Sequence, residues 1–390
     1  MEKTLVNIYD PRDPLAAYLF LKQYYAEGDR LMFISTREEK AALAVYASMF
    51  KVPEDHVELV WFHRSEDKYI YERICRHLRS RLSQDATYWV NLAGGSRYSA
   101  IAVQYVFAGF HSKFFYVQTR ENLIVSSFFD ASIDDNDDVI EPIDYRMSLA
   151  EYFELHGVEH DLKEKRHTPL RSWNESKRIF ECFKARKLPD QAFSAIDQLR
   201  LQYRGKKHPY SIASIVRGVP NKEKPIKGLP ELLRYFAFIP SQEGLLQPEE
   251  VDFLTGGWFE EYVYHTIMHY VRPQEAAVGV RISRAGAQHN NELDVVFIKA
   301  NTLFVVECKT GIATDHMFNE IVYKASALKN CFLGMMCHSY IFTLKNDYDK
   351  RLKQVSDMMN ITLCAKDTMV SPAKMAEVTA QILRQAHEQA

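Results

Sequence analysis

The sequence predicts an α/β protein, on three observations. Apolar strand-like runs alternate with helical periodicity over the N-terminal third. A basic, proline-interrupted helical stretch follows, and the last third holds an apolar β-hairpin with acids at its strand ends. The 390 residues are 47% hydrophobic and 26% charged, the make-up of a chain with two or three packed units.

Thr4–Tyr9, Arg30–Ser35, Val57–Phe62, Tyr88–Leu92 and Lys113–Gln118 read as short buried strands. Between them Leu15–Ala26, Glu38–Phe50, Asp67–Gln84 and Ser96–Ala108 carry apolar residues at helical spacing. Such alternation builds βαβ units on a mainly parallel sheet, whose ligands bind at the carboxyl ends of strands. Asn122–Phe129 reads as a further strand and Asp134–Asp138 as a solvated acidic loop, with no EF-hand spacing around it. Ser148–Gly157 begins a helix that leaves this first unit, so the expected organisation is a unit of residues 1–147, a mostly helical linker segment of residues 148–247 and a unit of residues 248–390.

The formal net charge is −2, but residues 161–228 hold 17 Lys and Arg against seven Asp and Glu. A basic middle of this kind either faces a polyanion or presents lysine-rich solvated helix faces. The segment from Asp161 to about Gln247 reads as mostly helical, broken by Pro189, Gly205, Pro209, Pro220, Pro225 and Pro230. Six scattered cysteines form no CxxC pair and read as apolar residues of a reducing compartment. The start lacks the apolar core of a secretory signal, and the longest apolar stretch, around Ala100–Phe110, is broken by Gln104 and Gly109. A cytoplasmic protein without membrane contact is expected.

The chemistry concentrates near the C-terminus. Asn291–Ile298 alternates, with Leu293, Val295 and Phe297 on one face and Asp294, Val296 and Ile298 on the other. Lys299-Ala300-Asn301 is a turn, and Thr302–Cys308 a second strand running into Glu307-Cys308-Lys309. A hairpin then brings Asp294 beside Glu307, with Lys309 on the Glu307 face. Two carboxylates and the Cys308 carbonyl make a hard-oxygen nest for Mg²⁺ or Mn²⁺. Phosphodiester hydrolysis needs such a site: the metal activates water, and a lysine offsets growing negative charge. Upstream, Thr255–Val263 opens a helix on which Phe259, Val263 and Ile267 face inward. Glu260 or Glu261 is then left near the hairpin. Tyr323-Lys324 on the next helix is either a phosphate contact or a solvated face.

Tyr88–Tyr98 reads as strand, Gly94-Gly95 turn and helix start. The glycines permit close backbone approach, and helix-start N–H groups favour anions, with Ser96 and Arg97 adding a hydroxyl and a cation.

Asn91-Leu-Ala-Gly-Gly-Ser-Arg97 resembles the glycine loop of CARF domains. Gly256-Gly-Trp-Phe-Glu-Glu-Tyr-Val263, Glu292-Leu-Asp-Val-Val-Phe297 and Val305-Val-Glu-Cys-Lys-Thr-Gly311 resemble the nuclease half of CRISPR type III ancillary nucleases. In that family a Rossmann-like CARF domain is fused to a PD-(D/E)xK, restriction-endonuclease-like α/β domain. Both ends match in order, and only the middle matches poorly.

The resemblance implies a homodimer that binds a cyclic oligoadenylate, usually the tetra-adenylate, across the CARF dimer axis and then degrades DNA or RNA. It implies Glu260, Asp294, Glu307 and Lys309 as catalytic, with Glu261 the alternative to Glu260. Asp294, Glu307 and Cys308 are implied as metal-binding. Gly94, Gly95, Ser96 and Arg97 would contact the activator, with Asp10, Arg12, Ser35 and Thr36 lining the same pocket. Asp10 and Asp13 fit poorly beside an anionic ring and are expected to hold Arg12 or cap the next helix. Arg97 replaces the family's lysine, and Ala93 and Ser96 its threonines. Two rival readings stay open: a non-catalytic, DNA-binding transcription regulator, and a restriction-type nuclease that needs no ligand.

Overall fold

The computed structural model describes residues 2–11, 13–35, 40–61, 70–126, 139–163, 167–185, 188–218, 223–284, 291–310, 337–344, 354 and 357–386. The predicted Asp134–Asp138 loop, Arg12, Thr36 and Tyr323-Lys324 lie outside them.

The N-terminal unit runs β1 (Thr4–Ile8), α1 (Leu15–Tyr24), β2 (Arg30–Ser35), α2 (Lys40–Phe50), β3 (Val57–Trp61), α3 (Ile70–Arg79), β4 (Thr87–Asn91), α4 (Arg97–Phe107), β5 (His111–Gln118), β6 (Leu123–Ser126) and β7 (Val139–Pro142). The seven strands form one sheet in the order β3-β2-β1-β4-β5-β6-β7. The first five are parallel, and β6 and β7 are antiparallel to their neighbours. Strand order reverses between β1 and β4, which opens a crevice beyond their carboxyl ends.

Next come α5 (Leu149–Leu155), β8 (Val158–His160), α6 (Trp173–Lys184), α7 (Asp190–Tyr203), β9 (Tyr210–Ser211), α8 (Ile212–Arg217), α9 (Leu229–Tyr235), β10 (Leu245–Leu246), α10 (Pro248–Asp252) and α11 (Trp258–Tyr270). A one-turn π-helix, Phe253–Gly257, links α10 to α11. Then follow β11 (Glu275–Arg284), β12 (Asn291–Lys299), β13 (Thr302–Lys309), β14 (Cys337–Thr343) and β15 (Ile361–Cys364), ending in helices Lys366–Val370 and Pro372–Gln385. Among the described residues no helix is long and apolar enough to cross a membrane.

The second sheet has the order β15-β14-β13-β12-β11-β8. The short β8, inside the segment expected to be a linker, pairs with β11. The middle helices are equally integral: Phe180, Ala195, Leu199, Leu232 and Phe236 share a core with Trp258, Phe259, Phe297, Phe304 and Val306. This segment packs against the second sheet and does not stand apart from it.

The other face of the second sheet packs toward the N-terminal unit. One apolar layer contains Leu5, Phe33 and Phe115, the inner faces of α1 and α5, and Val280, Ile282, Val296, Ile298, Leu303 and Val305. Helices α3 and α4 cover the far side of the first sheet.

Strict alternation fails at one place. Leu293 joins Val296 and Ile298 in that shared layer, while Val295 and Phe297 face the helical core. The same switch occurs in β11, where Ala277, Val280 and Ile282 take the shared layer and Val278 the other side. The reset falls at Gly279 and Asp294, which lie opposite each other between the pairs Val278↔Val295 and Val280↔Leu293. Gly279 has φ +62°, which local reversal of the pleat requires.

The β12–β13 turn is buried in the join. Asn301 is inaccessible to solvent and has φ +63°. Its side-chain amide donates to Asn122 Oδ1 (2.8 Å) and to the Tyr145 carbonyl (3.0 Å), and its Oδ1 accepts from Met147 N (2.8 Å). Asn122 in turn donates to the Ile143 carbonyl (3.1 Å). Glu151 completes the join, accepting from Tyr18 Oη at 2.7 Å and from Lys22 at 3.3 Å on α1. It also accepts from Tyr145 and closes a capping box with Ser148. Burial opposes its charge, but these donors win and hold the carboxyl at about 2.

Truncating Asn301 strands three buried partners and removes the side chain best suited to positive φ. Asn301→Ala is expected to lose about 2–4 kcal/mol of unfolding free energy. Asn301→Gly, which relieves only the backbone, should recover about 1 kcal/mol of it. Chemical denaturation of both variants checks this, and wild-type stability in Asn301→Ala would refute the assigned role.

Candidate active site and ligand pocket

The hairpin carries its acids at the end opposite its turn. Pairing of β12 with β13 runs from Lys299↔Thr302 to Val295↔Val306, and the next residues are Asp294 and Glu307. There the ladder gives way to a side chain: the Cys308 N–H donates to Asp294 Oδ2 at 2.7 Å. The Lys309 ammonium lies between the two acids, 3.2 Å from Asp294 Oδ2 and 2.7 Å from Glu307 Oε1. Burial disfavours the lysine's charge, but Asp294 and Glu307 outweigh it and raise its pKa. On the other side of β13, the Cys308 thiol is buried in the helical core, and its pKa is pushed up by that burial and by Asp294.

Helix α11 supplies the third acid. Phe259, Val263 and Ile267 pack inward as expected, and the two candidate glutamates part company. Glu261 is buried and accepts from Leu170 N (2.7 Å) and Arg171 N (3.0 Å). Burial still raises its pKa to about 7. Its carboxylate is thus occupied in holding the chain that leads into α6. Glu260 lies in the field of Asp294, Glu292, Lys309 and Arg204. Burial first, then the repulsion of Asp294 and Glu292, raises its pKa to about 8.

Among the described residues no three His, Cys, Asp or Glu side chains converge as a metal cluster. Two carboxylates sharing one cation still fit a small hard ion: the ammonium that bridges them marks where positive charge is stabilised. Mg²⁺ and Mn²⁺ take carboxylate, main-chain carbonyl and water oxygens, so two side chains are a sufficient protein share.

The second constellation lies at the strand reversal of the first sheet. Gly94 has φ +100°, and a Cβ there would meet the Ile8 carbonyl oxygen at 2.4 Å. The loop after β4 therefore rests directly on the end of β1, beside Asp10, with buried Ser35 at the end of β2. Gly95, Ser96 and Arg97 are exposed. Ser96 serves as the N-cap of α4: its Oγ accepts from Ser99 N at 3.2 Å. Asp13 accepts from the Leu15 N–H at the first residue of α1, whose N-cap position is Pro14, and its pKa is raised chiefly by burial. Beneath the loop, buried Asn91 donates to Asn7 Oδ1 (3.1 Å) and accepts from Ala93 N (3.0 Å).

Sequence reasoning missed Arg200, which lies on α7. Arg200 donates to the Thr255 carbonyl (Nε, 3.2 Å) and to Thr310 Oγ1 (3.4 Å), which ties the entry of α11 to the end of β13. The only advance signal was the charge of the middle segment.

A family model described as the Card1 CARF domain matches residues 15–152. One described as the Card1-like endonuclease domain matches residues 247–370. Similar solved structures include protein VC1899 from Vibrio cholerae (15% identity, TM-score 0.73, 99% of each chain). Another is Can2 from Sulfobacillus thermosulfidooxidans in complex with cyclic tetra-adenylate (18% identity, TM-score 0.68, 99% of each chain). A third is a type III CRISPR defence DNA nuclease activated by cyclic oligoadenylate (12% identity, TM-score 0.51, 92% of this chain and 52% of that one). At these identities the likeness is one of fold. No curated protein matches the chain.

The contact under Gly94 is with backbone, which cannot swing aside. Gly94→Ala should therefore displace the loop and cost about 1–3 kcal/mol, by strain at positive φ and overlap. Gly28→Ala, at positive φ with open space around it, should cost less. Equal melting shifts for the two would show that the close approach to Ile8 is unimportant.

Proposed function

We propose, on the premise that the chain is a fusion of a CARF domain with a Card1-type endonuclease domain, that it is a metal-dependent nuclease of type III CRISPR defence. In this reading a cyclic oligoadenylate, the tetra-adenylate first among candidates, switches it on. The observation that carries the reading is the Lys309 ammonium held between Asp294 and Glu307 at the open end of the hairpin, with Glu260 beside them. This is the helix-acid, D, ExK order of PD-(D/E)xK enzymes.

Asp294, Glu307 and the Cys308 carbonyl would hold Mg²⁺ or Mn²⁺, which when bound supplies a polarised phosphoryl oxygen and a water of lowered pKa. Lys309 keeps its proton, so its part is to offset negative charge as the phosphate is attacked and to orient the nucleophile. Glu260, protonated near neutrality in the metal-free protein by burial and repulsion, becomes a carboxylate when positive charge arrives next to it. The Cys308 N–H fixes Asp294 so that it need not reorganise.

The activator pocket is assigned to Gly94, Gly95, Ser96 and Arg97, with Asp10 and Ser35 around it. Support comes from the loop's close seat on β1, which leaves backbone N–H groups at a helix start, and from the tetra-adenylate bound by the similar Can2. Arg97 supplies charge and a planar group for phosphate or adenine.

A ring with repeated chemistry suits a two-fold pocket, and α4 carries a surface for that pairing. Tyr98, Ile101 and Tyr105 recur at i, i+3 and i+7 and are 70%, 56% and 56% exposed. The stripe begins at the glycine loop itself, so a second copy packed on it would place two loops at one axis.

Two measurements test this. Labelled single-stranded RNA, single-stranded DNA and supercoiled plasmid are incubated with Mn²⁺, with and without cyclic tetra-adenylate. Cleavage is expected only with both, absent after chelation and in Glu307→Ala, and reduced roughly a hundredfold in activator response in Arg97→Ala. Cleavage without the ring would sink the gating and keep the nuclease. Separately, Ile101→Glu is expected to shift the mass in light scattering from dimer to monomer. An unchanged mass would remove α4 from the interface.

A further inference from the structure

The basic middle of the chain has no part in the site described above, yet its most basic run reaches that site. Arg200, Arg204, Lys206 and Lys207 cluster at the end of α7 and just beyond it. Lys206 is engaged internally, 2.8 Å from Glu223. Arg200 is the anchor: one guanidinium holds the Thr255 carbonyl, at the turn that starts α11, and Thr310 Oγ1, next after Lys309. The C-terminal end of α7 is therefore pinned to the two elements that carry Glu260 and Glu307.

Arg204, the C-cap of α7, extends from that anchor and is exposed. Its Nη1 passes over Gly256, 4.0 Å from where a Cβ would stand. Its Nε lies 3.9 Å from Asp252, in a half-exposed contact too long for a hydrogen bond. It also acts electrostatically on Glu260. The chain turns at Gly205, which has positive φ, and Lys207 two residues further on is exposed. Cations at the rim of an acidic pocket solve a specific problem: a polyanionic strand approaching Glu260, Glu292, Asp294 and Glu307 would otherwise be repelled.

We propose that Arg204 and Lys207 bind the phosphodiester backbone of the nucleic-acid substrate, and that Arg200 is the positioning residue fixing this ledge against the catalytic elements. The proposal rests on the nuclease reading and adds where the strand lies: across the end of α7, over the entry of α11. Backbone contacts hold a strand in register without reading its sequence.

Full-length protein carrying Glu307→Gln, which prevents turnover, is titrated with labelled RNA, single-stranded DNA and duplex DNA. Mn²⁺ and cyclic tetra-adenylate are present, and salt is varied. Arg204→Gln and Lys207→Gln are each expected to weaken binding about three- to tenfold on every sequence. Each should flatten the slope of log affinity against log salt by about 0.7–0.9. Arg204→Lys should restore the slope. With Glu307 intact, Lys207→Gln should raise KM by a larger factor than it lowers kcat. Arg200→Gln should lower kcat and leave the salt slope alone. Unchanged affinity and slope in both glutamine variants would overturn the ledge. Lys207 is exposed, so its variant keeps the test valid if Arg204→Gln folds poorly. A wild type that cleaves none of the probes would instead defeat the nuclease reading, a result distinct from cleavage that the variants leave untouched.

Discussion

The β12–β13 hairpin is the element on which both halves of the molecule depend, and its turn is fixed by one amide. Asn301 lies in the left-handed region, donates to a side chain and a carbonyl of the N-terminal unit, and accepts a third bond from Met147. From that clasp to Asp294 the strand runs roughly 20 Å at about 3.4 Å per residue. One end of the hairpin is thus built into the N-terminal unit and the other carries the acids. Apolar side chains of both sheets fill the layer between. Opening the two units like a hinge would expose that layer and break the buried amide bonds together. Under the proposed reading, a ligand on the first sheet would act most cheaply by changing how whole chains sit against one another. The exposed face of α4, next to the glycine loop, is where such a change would be felt.

Much of the N-terminal unit was legible in the sequence because a parallel sheet is buried on both faces. Its strands read as apolar runs and its helices as 3.6-residue stripes, and β2 falls where the pattern put it. The edge strand β7 and the three-residue β8 carry no periodicity and are defined by the neighbours they pair with. At the hairpin the residue types were legible and the alternation was not, since the reset at Asp294 depends on Gly279 in the strand opposite. The choice between Glu260 and Glu261 was equally hidden. What sets them apart is that the N–H groups of Leu170 and Arg171, about ninety residues earlier in the chain, donate to Glu261. Arg200 escaped notice for the same reason: a lone arginine on an amphipathic helix announces nothing until Thr255 and Thr310 are seen beside it.

Those two adjacent glutamates show how one fold gives like groups different surroundings, although burial raises the pKa of both. Glu261 is deeply buried, and two backbone donors meet its oxygens and partly oppose the rise that burial imposes. Glu260 is surrounded by other acids, with Lys309 and Arg204 only partly countering them. A folded chain optimised for stability alone would not set Glu260 in the field of Asp294 and Glu292, nor hold Asp294 and Glu307 on one lysine. Repulsion among them is a cost to folding that a bound cation would relieve, and the relief appears as affinity for that cation. Local rules broken in this way, inside an otherwise consistent structure, mark functional sites. The ledge at the end of α7 answers the remaining difficulty. The same negative potential that attracts a divalent ion repels a phosphate backbone, so a polyanion can approach only where cations line the way in.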